Sequence, residues 1–342
     1  MSSYARFAGL PLEIESYALE RLEQPVTRGF TRVTTVVRLS GRGEEGLGED
    51  VSWYAEMHDR EQAAGPVLPL QGSWTLDSFS DALEIPEPHR RWAYESAALD
   101  LGLRQDGTAL GEVVGREPRP VSFVVSPGLG DPPTSRVIRR WLELDPGLRF
   151  KLDPGIDWSD ELIHELADTR AVVTADLKAY YGAADEKPPD VDLYRRVAEG
   201  LADAYLEDPA LTDGTDPVLA PYRERITWDA PIHSVADVEA LAFPPRTLNS
   251  KPSRFGTLRA LLDFYDYCEE RGIGLYGGGM FELGPGRGQI QYLASLFHPD
   301  APNDVAPRAY NEPEPREGLP PSPLEPAPAP TGFRWAEGAA SI

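Results

Sequence analysis

Lysine is the scarce residue of this chain. Of 33 basic residues in 342, only Lys151, Lys178, Lys187 and Lys251 are lysines, and the other 29 are arginines. Arginine serves wherever a fixed cation is wanted, whereas a buried ammonium shifts its pKa readily. The lysines are therefore the places to look for proton transfer. Cysteine is rarer still. Cys268 stands alone, which excludes an intrachain disulfide and suits a reducing, cytoplasmic compartment. No stretch approaches the ~20 apolar residues of a membrane span, and the N-terminus MSSYARFAGLPLEIESYALE lacks the apolar centre of a signal peptide. An excess of positive charge is missing too. A net charge of −23 argues against nucleic acid and anionic membranes as partners.

What is present is enough hydrophobic residue, 41%, for a large core. Residues 1–118 read as an α+β capping domain. LPLEIESYALERL and FTRVTTVVRLSG carry β-branched alternation, GEEGLGED reads as a glycine-rich turn, and HRRWAYESAALDLGLRQDG has helical spacing that stops at Gly107. From about residue 119 to 310 the rhythm changes. The apolar runs VSFVV, LRFKLD, AVVTADL, AYLEDP, ITWDA, RTLNSKP and GIGLYGG are each followed by a helix-like segment, with a weak eighth run at NDVAP. Seven such units and a partial eighth predict a (β/α)8 TIM-type barrel. A doubly wound open sheet is the competing fold, but no glycine-rich phosphate turn follows the first strand. Residues 311–342 form a proline-rich tail whose TGFRWAE segment could return Phe333 and Trp335 to the cap.

Parallel barrels carry their chemistry at the C-terminal ends of the strands. Here the second to sixth strand ends offer Lys151, Asp176, Glu207, Asp229 and Lys251 in turn. Three converging carboxylates repel one another unless a cation sits among them, and oxygen ligands with open positions suit Mg2+. Lysines on either side of that ion would have depressed pKa values and could exchange base and acid roles. By period-two alternation Lys178 shares the mouth with Asp176, as an ion-pair partner, as a contact for a second anionic group of the substrate, or as a third proton-transfer group. His233 follows the fifth strand, where it serves as a loop residue or touches substrate. SWYAEMHDREQ would hang from the cap over the mouth.

These residues resemble the enolase superfamily, and within it the muconate lactonizing (muconate cycloisomerase) subgroup. The resemblance runs from about Phe30 to Pro307 and rests on GLGED, YESAALDLGLRQDGTALGEVVG, WDAPIHSVADVEAL and GIGLYGGGMFELGPG. It implies Asp176, Glu207 and Asp229 as ligands of Mg2+, or Mn2+ in its place, with Lys151 and Lys251 as the acid/base pair. Glu282 would lie near the site. Three departures stand out. Arg149 replaces the first lysine of the family's paired Lys-x-Lys motif, Lys178 replaces an asparagine, and the strand-five Asp-Glu pair is Asp229-Ala230. Arg149 and Lys178 tilt the expected substrate toward a polyanionic or polyhydroxylated acid. The mandelate racemase pattern is excluded, since Lys251 holds the strand-six position and no histidine lies between 234 and 297.

The resemblance implies a small-molecule carboxylic acid substrate that loses its α-proton to give a metal-held enediolate. Cycloisomerisation, o-succinylbenzoate-type elimination, epimerisation and acid-sugar dehydration all share that step. Members of the family often form homo-oligomers, and the sequence itself does not reveal the oligomeric state. Two readings of other classes remain: a non-catalytic barrel used for binding, and an aldolase-type barrel with a Schiff-base lysine.

Overall fold

The computed structural model describes residues 2–27, 30–180, 189–312 and 314–335. The cap begins with β1 (Pro11–Ile14), β2 (Ser16–Thr27), β3 (Phe30–Gly41) and β4 (Glu44–Asp50), followed later by β5 (Gly72–Thr75). β2, β3 and β4 form an antiparallel sheet in that order, and β1 pairs with β5. The helix Pro88–Asp106 lies across this sheet. Glu87 caps its start by accepting from the Arg90 N–H, Pro88 occupies its first turn, and Gly107 ends it in the left-handed region at φ 73°.

GEEGLGED is strand where a turn was expected. The turn is at Arg42 and Gly43, both at positive φ. Gly46 and Gly48 are glycines for another reason. A Cβ would stand 2.1 Å from the Ala97 carbonyl oxygen at Gly46, and 1.9 Å from that of Ala93 at Gly48. Their absence lets the helix lie directly on β4.

The barrel strands run in the predicted order: β6 (Phe150–Leu152), β7 (Val172–Asp176), β8 (Tyr205–Glu207), β9 (Ile226–Thr227), β10 (Thr247–Ser250) and β11 (Gly274–Gly277). β6 to β9 pair in parallel succession, as do β10 and β11. The Asn249 N–H donates to the Trp228 carbonyl and joins the two groups. The first and eighth runs are shorter than expected, contributing bridges in place of named strands. Val125 pairs with Phe150, Phe123 with Asn303 and Gly278 with Asp304, all in parallel. Together these links close an eight-membered ring.

Cap and barrel meet through buried charge. The fully buried Arg32 of β3 donates to the carbonyls of Val51, Ser52 and Met280. Glu49 accepts from the N–H groups of Leu283, Gly284 and Gly286, at the start of the barrel helix Pro285–Phe297. A carboxylate at a helix N-terminus contributes roughly 0.3–2 kcal/mol, the upper end when partly buried. Phe333 of the tail reaches the cap, whereas the Trp335 ring packs on Tyr292 of the barrel helix. Asp100 accepts from the Phe333 N–H and from Arg334, while the Phe333 ring packs against Trp92 and Tyr292. Among the described residues no helix is long and apolar enough to cross a membrane.

Candidate active site

The five strand-end residues converge in one mouth. Asp176 and Glu207 are register partners on β7 and β8. Lys151 of β6 reaches both, donating to Glu207 Oε1 and lying 3.1 Å from Asp176 Oδ2. Asp304 Oδ2 stands 3.9 Å from the same amine. On the far side, Lys251 follows β10 and donates to Asp229 Oδ2 at 2.6 Å. The second and sixth strands are four places apart in a ring of eight, so the amines face each other across the three acids. Both lysines and all three carboxylates are buried.

Sequence reasoning missed four further groups. Arg254, in the short helix Pro252–Phe255, stands 3.2 Å from Asp229 Oδ1 and donates to the Ala230 carbonyl. It thereby occupies space beside the residue that replaces the family's glutamate. Its signal was the spacing in KPSR, which returns the third residue after Lys251 to the same site through one helical turn. Tyr276 of β11 donates from its hydroxyl to Glu207 Oε2 at 2.5 Å. Asp304, on the weak eighth run, also binds the Ser126 hydroxyl. Asp208, at φ 50°, turns back and accepts from the N–H groups of Asp229 at 2.8 Å and Ala230 at 2.9 Å.

The other predicted residues are placed as follows. Lys178 lies 3.0 Å from Asp176 Oδ2 and 3.3 Å from Asp153 Oδ1, so the ion-pair expectation is met. Alternation ends before it, because Lys178 itself has φ 51°. Glu282 is buried on the loop after β11, accepting from the Met280 N–H and lying 3.4 Å from Arg287. Arg149 is not brought to the mouth. It is exposed, donates to the carbonyls of Gly147 and Leu148, and lines a groove with Val173, Tyr205 and Asp300 at the N-terminal ends of the strands. His233 presents both ring nitrogens to carbonyls, those of Ala230 and Arg254. Lys187 lies outside the described residues.

The two amines are tuned in opposite directions. Burial lowers the Lys151 pKa, but Glu207, Asp176 and Asp304 outweigh it and hold the ammonium well above the ordinary lysine value. Burial also lowers Lys251, where Asp229 opposes the shift and Arg254 reinforces it, leaving that amine below its ordinary value. The shared depression expected of both lysines therefore holds for one. Among the acids, burial pushes Glu207 up to about 8 and Asp208 up to about 6. Asp229 moves the other way: burial raises it, yet Lys251 and Arg254 hold it well below the carboxylate range.

Oxygen atoms of Asp176, Glu207 and Asp208 lie within 4.8 Å of one another. An all-carboxylate set of this kind fits a hard divalent cation. Asp229 adjoins it with its carboxylate turned to Lys251 and Arg254. Above Lys151 opens a pocket of about 230 Å³ lined by residues that include Ser126, Leu129, Asp153, Asp157 and Trp158.

Comparison with known proteins agrees with this fold. Two family models cover most of the chain: the N-terminal domain of the domain of unknown function DUF8230 matches residues 5–113 and its C-terminal domain residues 117–312. The N-succinylamino acid racemase of Thermus thermophilus is 29% identical over 86% of each protein. The o-succinylbenzoate synthase of Bacillus subtilis is 24% identical over 86% of this chain and 85% of its own. The muconate cycloisomerase of Pseudomonas fluorescens superposes with a TM-score of 0.65 at 20% identity, covering 96% of each chain. The chain belongs to the DUF8230 family and, with its capped parallel barrel and these relatives, to the enolase superfamily.

Proposed function

We propose that this enzyme removes the proton α to a carboxylate and returns a proton to the same carbon, racemising or epimerising a small carboxylic acid such as an N-acylated amino acid. The observation that carries this reading is the pair of buried amines, Lys151 and Lys251, facing each other across three carboxylates. A stereocentre between them presents its hydrogen to one amine in one enantiomer and to the other amine in its mirror image. Lys251, lowered by burial, is the readier base. Lys151, held charged by Glu207 and Asp176, is the readier donor. Asp176 and Glu207, with Asp229 or Asp208, would hold Mg2+, and Mn2+ could replace it. The cation supplies positive charge against the negative charge that develops on the substrate carboxylate. The pocket over Lys151 receives the non-reacting end of the substrate. Arg149 has no part in recognition, and Lys178 stays charged between two aspartates, which removes the ground for a preferred polyanion.

A second reading is elimination from the same carbanion, supported by the likeness to an o-succinylbenzoate synthase. There the readier donor, Lys151, would assist departure of the leaving group. The test is a panel of carboxylic acids, N-succinylamino acids first, incubated with the protein and Mg2+ in deuterium oxide. Deuterium at the α-carbon is the expected result, with loss of chirality for racemisation and loss of water for elimination. No incorporation across the panel, with metal binding verified, sinks the proposal.

A further inference from the structure

Beneath the reacting groups the barrel holds an amide whose hydrogen-bonding capacity no described residue uses. Asn249 lies on β10 two residues before Lys251, so both side chains share the inward face. It is 1% exposed, and neither its side-chain oxygen nor its nitrogen has a hydrogen-bond partner among the described residues. Its register partner is Tyr276, whose hydroxyl is already committed to Glu207. The fold makes room for this amide. Gly278 follows the last residue of β11, and a Cβ there would stand 2.6 Å from Asn249 Oδ1 and 2.8 Å from Nδ2. The amide therefore reaches the level of the strand ends, where Lys251 begins. A buried amide left unbonded is costly, and leucine would fill similar space without that cost. Polar cavities of this kind take ordered water that makes two to four hydrogen bonds.

We propose that Asn249 is a positioning residue for Lys251, anchoring a buried water that hydrogen-bonds the amide below and the amine above. The water fixes the direction of the amine lone pair without adding charge next to it. Lys151 has no such arrangement, since the residue two before it is Arg149, exposed and donating to the carbonyls of Gly147 and Leu148. The effect of Asn249 is thus confined to the Lys251 side of the substrate. This inference rests on the two-amine reading above, and its tests separate the two.

The first test is a high-resolution crystal structure of the whole chain. Solvent within hydrogen-bond distance of the Asn249 amide is expected, and an amide satisfied by protein alone overturns the proposal. The second is Asn249→Leu, assayed by deuterium exchange into the two enantiomers of N-succinylphenylalanine with Mg2+. Exchange of the enantiomer deprotonated by Lys251 should fall about tenfold or more while the other stays within about twofold, and the thermal midpoint should hold or rise. Equal slowing of both enantiomers, no slowing of either, or a drop in the midpoint that tracks the slowing overturns it. If the wild-type chain exchanges neither enantiomer, the proposed function fails for this substrate, and the crystallographic water decides the role of Asn249 alone.

Discussion

The two walls of the mouth carry the same amine in different company. On one wall Lys151 is surrounded by Glu207, Asp176 and Asp304. On the other, Lys251 shares Asp229 with Arg254, so its one acid is contested by a second cation. Both lysines are buried to a similar degree, 6% and 7% exposed. Burial therefore does not set them apart. The difference lies in the ratio of acids to the cations that share them, three to two on the Lys151 side, where Lys178 shares Asp176, against one to two on the other. A reaction that must both take and give a proton gains from having one amine lowered and the other raised from the ordinary lysine value.

Removing either amine gives the largest expected effect. Lys251→Arg and Lys151→Arg keep a cation but cannot supply a neutral base. Each should lower deuterium exchange of one enantiomer by roughly 10²–10⁴-fold and leave the other enantiomer exchanging. If each variant abolished exchange of both enantiomers, the walls would be acting as one unit and the comparison would fail.

Arg254→Gln tests the contested wall. Without its neighbour's charge Lys251 loses a group that depresses its pKa, so its pKa rises. A base works when neutral, and activity rises with pH through its pKa. The limb of the pH–rate profile due to Lys251 should therefore move to higher pH, lowering the rate on the acid side of that limb by about tenfold for each unit moved, with recovery in alkali. A limb that stays in place while the rate drops at every pH would assign Arg254 a purely structural task.

Asp304→Asn tests the crowded wall and should do less. Its carboxylate is 3.9 Å from Lys151 and partly exposed, and it ranks after Glu207 and Asp176 among the charges raising that amine. Water screens such a contribution. Exchange on the Lys151 side should change by about threefold or less, with the Lys251 side unmoved. A larger change than that of Arg254→Gln would reverse the ranking of neighbours.

How much of this was legible in the sequence depended on what each residue answers to. Asp176, Glu207, Asp229 and the two lysines were readable because strand ends in a parallel barrel all face one mouth. Arg254 and Asp208 were not. Their positions depend on a helical turn begun at Pro252 and on a backbone reversal at φ 50°, neither of which alternation describes. The glycines of β4 were misread because a turn and a close helix approach ask for the same residue. The helix Pro88–Asp106 that needs them lies some forty residues on.

Arg149 shows the limit of alternation most plainly, and it carries the smallest expected effect. It is two residues before Lys151, so period two puts both on one face of β6. The period says nothing about height. Two residues along a strand span about 6.6 Å, enough to separate the mouth from the floor in a barrel whose named strands are two to five residues long. Lys151 therefore meets three carboxylates, while Arg149 meets the carbonyls of Gly147 and Leu148 and solvent. Arg149→Gln should leave exchange of both enantiomers within about twofold and stability within about 0.5 kcal/mol, measured by chemical denaturation. A selective loss on the Lys151 side would show that charge at the floor reaches the mouth. The walls would then be set by the whole strand and not by the residues beside each amine.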